Sequence, residues 1–193
     1  MTDRRPELVL IRHAPVAVPG RLAGRTDFPA RLDPEAVARL QGLLPDVAAV
    51  ISSPAQRCVT TAAAVFSGAD VATDERLWEQ DFGTYDGALL ADLPDLGALS
   101  SEALAAHRWP EGESFSTVSS RVAPALSDAA MRAQTEGAVA VVAHAGVIRA
   151  ALALVLGHVP GALAFEIAPL SVTRLGVWEG RPVSIRQVNG GGL

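Results

Sequence analysis

The chain has 193 residues, 49% of them apolar and 19% charged, and a net charge of −5 at pH 7. That composition excludes a mainly disordered polymer. The acidic balance argues against nucleic acid as a partner, because a phosphate backbone demands a cationic footprint. The length suits one domain, residues 1–193, with enough chain to bury a core. All 16 basic residues are arginine. A small anionic ligand would therefore have to be met by a local arginine cluster, and the planar guanidinium suits phosphate. The single cysteine, Cys58, rules out a disulfide within the chain and points to a reducing, cytoplasmic location. Four histidines and one cysteine, widely scattered, give no zinc spacing, so no metal or other cofactor is expected. Met1 to Glu7 is charged and lacks the apolar core of a signal peptide. The most apolar stretch, residues 147–159, is broken by Arg149 and Gly157 and falls short of the ~20 apolar residues of a membrane span, so no membrane partner is expected.

In chain order, Leu8-Val9-Leu10-Ile11 is a short apolar run that predicts a strand buried on both faces. A segment with Pro15, Pro19, Gly20, Gly24 and Pro29 follows, which is loop chemistry of the kind that often serves function. Asp33 and Pro34 predict a capped helix start, continued by Val37, Leu40 and Leu44 at helical spacing. Residues 47–51 read as a second buried strand. Ser52-Ser53-Pro54 then reads as a cap and start for a helix running to about Phe66. A short strand is expected within residues 71–78, and irregular chain with one or two short helices within 79–112. Residues 114–136 predict a helix that Pro124 kinks or splits. Residues 138–143 are a third buried strand, His144-Ala145-Gly146 a turn, and residues 147–156 a helix. Residues 171–178 and 182–188 predict a hairpin around Glu179-Gly180-Arg181, and the Gly-rich end from Asn189 is expected to fray. The exposed hairpin is a candidate edge for a homodimer. Strands alternating with helices predict an α/β fold with a mainly parallel sheet, whose ligands sit beyond the carboxyl ends of the strands. Arg12, His13, Ser52, Ser53 and His144 all follow strands in this reading and should converge there.

One histidine after a strand is weak evidence, since a hydrogen-bonded structural histidine reads the same way. Two of them, His13 and His144, at the ends of two buried strands, with Arg12 beside the first, say more. Arg57 falls in the first turn of a helix, where a cation is disfavoured unless an anion lies between it and the free N–H groups. Glu79, before the turn at Asp81-Phe82-Gly83, alone would read as a surface carboxylate. Against a cationic pocket it can serve as a general acid.

The ordered set Leu10-Ile11-Arg12-His13-Ala14, Ser52-Ser53-Pro54-Ala55-Gln56-Arg57, Leu77-Trp78-Glu79-Gln80-Asp81-Phe82-Gly83, Gly112-Glu113-Ser114 and Val142-Ala143-His144-Ala145-Gly146 resembles the histidine phosphatase superfamily, the phosphoglycerate mutase-like proteins. The resemblance implies a three-layer α/β/α sandwich and a metal-independent phosphomonoester hydrolase acting on a small-molecule phosphate monoester through a phosphohistidine intermediate. By the same resemblance His13 is the nucleophile, Glu79 the proton donor to the leaving oxygen and then the base for water, and Arg12, Arg57 and His144 the clamp on the phosphoryl oxygens, with the Ala145 N–H as a further donor. Two departures stand out: Ala14-Pro15 where the family usually has Gly after the histidine, and Val16-Ala17-Val18-Pro19 where many members place an Asn that touches the phosphoryl group. Gly24 and Arg25 are candidate substrate contacts. Arg12-His13-Ala14-Pro15-Val16 followed by Gly24-Arg25-Thr26-Asp27-Phe28-Pro29 is similar to the α-ribazole phosphatases of cobalamin biosynthesis. A broad-specificity sugar or metabolite phosphatase is the alternative, and a non-catalytic phosphate-binding module a third reading. Trp109, Phe115 and Tyr85 fit base stacking or ordinary packing.

Overall fold

A computed structural model gives the structure of the chain and describes residues 5–192. Six strands form one sheet: β1 (Glu7–Arg12), β2 (Ala49–Ser52), β3 (Val71–Thr73), β4 (Val139–Ala143), β5 (Val172–Trp178) and β6 (Arg181–Gly190). Their spatial order is β3-β2-β4-β1-β5-β6. The first four run parallel, and the β5–β6 hairpin adds an antiparallel edge. Five helices accompany them: α1 (Pro34–Gln41), α2 (Gln56–Val65), α3 (Ser101–Ala106), α4 (Phe115–Glu136) and α5 (Ala145–Leu156).

The apolar run at β1 is continuous because both faces of the sheet are covered. Side chains alternate across a strand. Leu8 and Leu10 join a core with residues of α4 and α5, whereas Val9 and Ile11 join one with residues of α1 and α2. The result is the expected helix–sheet–helix layering. None of the described helices is long and apolar enough to cross a membrane.

Local signals succeed where the partner is close in sequence. Asp33 caps α1 by accepting from the Glu35 N–H, with Pro34 in the first turn. The hairpin turns on Glu179 and Gly180, both at positive φ (50° and 69°), the geometry of a two-residue type I′ turn. Other expectations need correction. Ser52 and Ser53 do not cap α2, which starts at Gln56 without a cap from its own N-cap side chain. Asp27 supplies that cap from a distant loop, accepting from the Gln56 N–H at 2.8 Å. Pro124 does not split α4, which runs unbroken for 22 residues. Pro124 and Ser120, whose carbonyl the proline leaves unpaired within the helix, both lie on the exposed side, where water can serve the carbonyl. Ala145 and Gly146 belong to α5, with His144 as its N-cap. The end of the chain is paired through Gly190, which lies opposite Val172. Leu193 and Met1 to Arg4 lie outside the described residues.

Candidate active site

Parallel pairing of β1, β4 and β2 brings their carboxyl ends side by side. The His13 N–H donates to the Ala143 carbonyl at 2.9 Å, and the Ser53 N–H to the Val142 carbonyl at 2.9 Å. Arg12, His13, Ser53 and His144 thus share one sheet edge, as the strand reading anticipates. A cleft of ≈ 430 Å³ opens there, and its wall includes Arg12, His13, Glu79 and Ala145.

His13 is 5% exposed. Its Nδ1 lies 2.7 Å from the Ala14 carbonyl oxygen. A carbonyl only accepts, so Nδ1 carries the proton and Nε2 keeps its lone pair. Burial pushes the His13 pKa down to about 3; the Ala14 carbonyl opposes the shift, and Arg57 and Arg12 add to it. The imidazole is therefore neutral at pH 7. Ala14 fits where a glycine is common. It is fully buried, its N–H donates to Thr61 Oγ1 at 3.0 Å, and its carbonyl is the acceptor that orients His13.

Glu79 reaches the cleft from the segment after β3. Its Oε1 accepts from the Gln80 N–H at 3.0 Å and its Oε2 from the Gly146 N–H, at the start of α5, at 3.2 Å. The contact needs a glycine: a Cβ on Gly146 would stand 2.2 Å from Glu79 Oε1. Arg121 of α4 holds the same segment, donating to the carbonyls of Arg76, Trp78 and Glu79 and pairing with Glu113. Glu113 in turn accepts from the Asp81 N–H at 3.1 Å.

Arg57 and His144 stand behind His13, wholly buried and outside the cleft wall. The His144 and His13 rings meet edge to face at 5.2 Å. Arg57 Nη2 lies 3.3 Å from His144 Nδ1 and can only donate. That assigns the lone pair to Nδ1 and the proton to Nε2, which donates to Ser53 Oγ at 2.8 Å. Burial holds His144 well below the ordinary histidine range, and nearby cationic groups press the same way. Arg57 is wrapped by the carbonyls of Ala23, Gly24 and Thr26, with Asp27 at 3.7 Å. Asp27 is thus one anion that makes a cation tolerable in this first helical turn. The Nε atoms of Arg12 and Arg57 are both buried without a hydrogen-bond partner. For Arg12, burial lowers the pKa, Glu79 opposes, and Arg149 and Arg57 add to the lowering.

Gly24 and Arg25 are not on the cleft wall. A Cβ on Gly24 would fall 2.4 Å from both Asp86 Oδ2 and the Gln80 carbonyl, so this glycine permits two loops to pack. The Arg25 N–H donates to Asp86 at 2.7 Å, and its guanidinium lies 5.3 Å from the centre of the Trp78 ring. Tyr85 and Trp109 pack edge to face on each other at 5.4 Å and are likewise absent from the wall. Phe115 does line the cleft, but from within the core. Where the family Asn is missing, Val16 and Pro19 form apolar wall. Three arginines that sequence reasoning did not single out, Arg21, Arg31 and Arg149, also line the cleft. Only Arg149 carried a signal, four residues after Ala145 and so on the same helix face. Among the described residues, no group of three His, Cys, Asp or Glu is placed to hold a metal ion.

The model of the histidine phosphatase superfamily (branch 1) matches residues 8–190, and the chain belongs to that family. Solved structures agree. The mycobacterial glucosyl-3-phosphoglycerate phosphatase superposes with a TM-score of 0.82 at 26% identity, covering 97% of this chain and 100% of that one. An α-ribazole phosphatase from Shigella flexneri gives 0.78 at 25% identity, with 97% and 98% covered. A protein from Thermus thermophilus gives 0.67 at 31% identity, with 93% and 98% covered. A comparison with curated protein sequences gives no match. The chain is a phosphatase of phosphoglycerate mutase-like fold.

Proposed function

We propose that residues 1–193 form one domain that hydrolyses small-molecule phosphomonoesters without a metal, through a phosphohistidine on His13. One observation carries the reading: a neutral, buried imidazole whose Nδ1 proton is engaged by the Ala14 carbonyl presents a free Nε2 lone pair beside Arg12. The Nε2 lone pair attacks phosphorus while the bond to the leaving oxygen breaks, and Glu79 delivers a proton to that oxygen. Glu79 then takes a proton from water as the water oxygen displaces His13 from phosphorus. Phosphate leaves, and His13 returns to its neutral state. Splitting one displacement into two lowers each barrier. Arg12 and the helix start at Ala145 hold the phosphoryl oxygens, Arg57 adds its charge from behind His13, and neutral His144, its Nε2 proton given to Ser53, backs the His13 ring. The positive potential of Arg12 and Arg57 stabilises charge as it moves toward the leaving group.

For the natural ester, α-ribazole 5′-phosphate is the first reading, supported by the Arg12–Val16 and Gly24–Pro29 segments and by the structural likeness to an α-ribazole phosphatase. A broad-specificity sugar phosphatase is the second, favoured by likeness to a phosphatase of a sugar-bearing glycerate ester. Turnover of p-nitrophenyl phosphate in excess EDTA, lost in His13→Ala, is the expected result. Strong inhibition by EDTA would overturn the metal-free scheme. Phosphate binding without turnover would instead favour a non-catalytic module.

A further inference from the structure

Four arginines, Arg12, Arg21, Arg31 and Arg149, line the cleft with one acidic residue, Glu79. The whole chain has a net charge of −5, so cations are concentrated where the average surface is acidic. Several arginines elsewhere have carboxylates of their own: Arg76 has Asp74 and Asp128, and Arg174 and Arg186 share Glu7. Arg25, Arg108 and Arg181 have none within ion-pair distance among the described residues, but none of the three lines this cleft. Arg21, Arg31 and Arg149 have none within ion-pair distance among the described residues. Arg21 Nη1 donates to the Gly87 carbonyl and Arg149 Nε to the Phe165 carbonyl. These bonds hold the guanidiniums without neutralising them. Arg31 is fixed through its backbone, its N–H donating to the Pro15 carbonyl at 2.7 Å, two residues beyond the nucleophile.

Like charges converging on one cleft are unfavourable unless an anion is shared among them. A phosphoryl dianion placed at His13 would engage Arg12, with the charge of Arg57 buried behind. Three unpaired cations remain around the rest of the wall. The cleft, at ≈ 430 Å³, lies within the roughly 300–1,000 Å³ of small-molecule pockets and has room for a leaving group beyond the phosphoryl. We propose that the leaving group carries a second anionic group, a carboxylate or a further phosphate, bound by Arg31 and Arg149 with Arg21 at the rim. The proposal rests on the phosphomonoesterase reading of the same site. It also narrows that reading, since a ribazole leaving group offers no second negative charge, whereas a phosphorylated hydroxy acid or a bisphosphate does.

A matched pair of esters tests it. 3-Phosphoglycerate and glycerol 3-phosphate differ only in a carboxylate replaced by a hydroxymethyl group. Fructose 1,6-bisphosphate against fructose 6-phosphate asks the same of a second phosphate. A charge-assisted contact to arginine corresponds to about tenfold or more in kcat/KM. The expected result is at least a tenfold preference for the doubly anionic member of one pair. Arg31→Gln should shrink that preference about tenfold, and Arg149→Gln should do likewise. Arg31 is exposed, so its variant keeps the test valid if loss of the Arg149 bond to Phe165 impairs folding. The pair that responds identifies the second group. Equal kcat/KM within both pairs, with p-nitrophenyl phosphate still turned over, would overturn this proposal alone. So would a preference that both variants leave intact. Failure of the folded protein on every ester, p-nitrophenyl phosphate included, would overturn the phosphatase reading and this proposal with it.

Discussion

At the start of β1, Glu7 is 3% exposed and its carboxylate is met by two arginines. Arg174 of β5 binds it through Nε and Nη2, and Arg186 of β6 through Nη1 at 3.0 Å. At the other end of the same strand, Arg12 and His13 are joined by Arg57 and His144, and the Arg12 and Arg57 Nε atoms have no partner. The first cluster is closed: its carboxylate is taken up by two arginines within the protein, and it ties three strands together. The second is open: Arg12 and His13 line a cleft of ≈ 430 Å³, and the charge of Arg57 behind them adds to an excess of cations there. Buried charge in itself does not mark a site. What marks one is charge that the fold positions and leaves uncompensated.

Substitutions at the two ends should separate accordingly. The largest effect is expected for His13→Ala, with turnover falling ~10⁴-fold or more while the fold survives, because the attacking atom is gone. Appreciable residual turnover by the purified variant would move the nucleophile elsewhere. Glu79→Gln should cost alkyl phosphates ~10²–10⁴-fold and aryl phosphates far less, since a good leaving group needs little protonation. Equal losses on both would remove Glu79 from the proton-transfer role. Glu7→Gln should do the reverse, lowering stability by about 1–3 kcal/mol, discounted because Arg174 and Arg186 are partly exposed, and leaving kcat nearly unchanged. Urea unfolding beside steady-state kinetics reads both, and a large kcat loss at unchanged stability would erase the contrast between the ends.

The smallest effect concerns pH. His13 and His144 are held neutral in the folded state, chiefly by burial. The unfolded chain protonates both below about pH 6.5. Their folded pKa values are depressed, so stability is intact above pH 6.5 and falls as pH drops toward the folded value, about 3 for His13. The slope is ~1.4 kcal/mol per pH unit for each histidine. The melting temperature should therefore decline from pH 6.5 to 5, and less steeply in His13→Asn. Parallel curves for the two proteins would show that His13 is not held neutral by the fold.

Much of this site was legible in the sequence because its residues sit at strand ends. An apolar run followed by Arg12-His13, or by His144, places those side chains on the carboxyl edge whatever the loops do. Glu79 was found through its place in a resembling motif, and Arg57 through that motif and through its odd position as a cation in a first helical turn. What stayed hidden depends on contacts between distant segments. Asp27 caps a helix 29 residues away. Arg121 holds the carbonyl of Glu79 from 42 residues on. Arg21 and Arg31 look like ordinary loop arginines until residues 15–31 fold over the cleft. Pro124 does not split α4, because the cost of a proline in a helix depends on which face carries it, and that face is settled by packing.

The open end of β1 presents His13 as a nucleophile to phosphorus. Rapid acid-free quenching of the enzyme with ³²P-labelled substrate tests it most directly. The expected result is a base-stable, acid-labile protein-bound phosphate that maps to His13, forms before product release and is absent from His13→Ala. Turnover with no such species under single-turnover conditions, or a label that persists in His13→Ala, would contradict it.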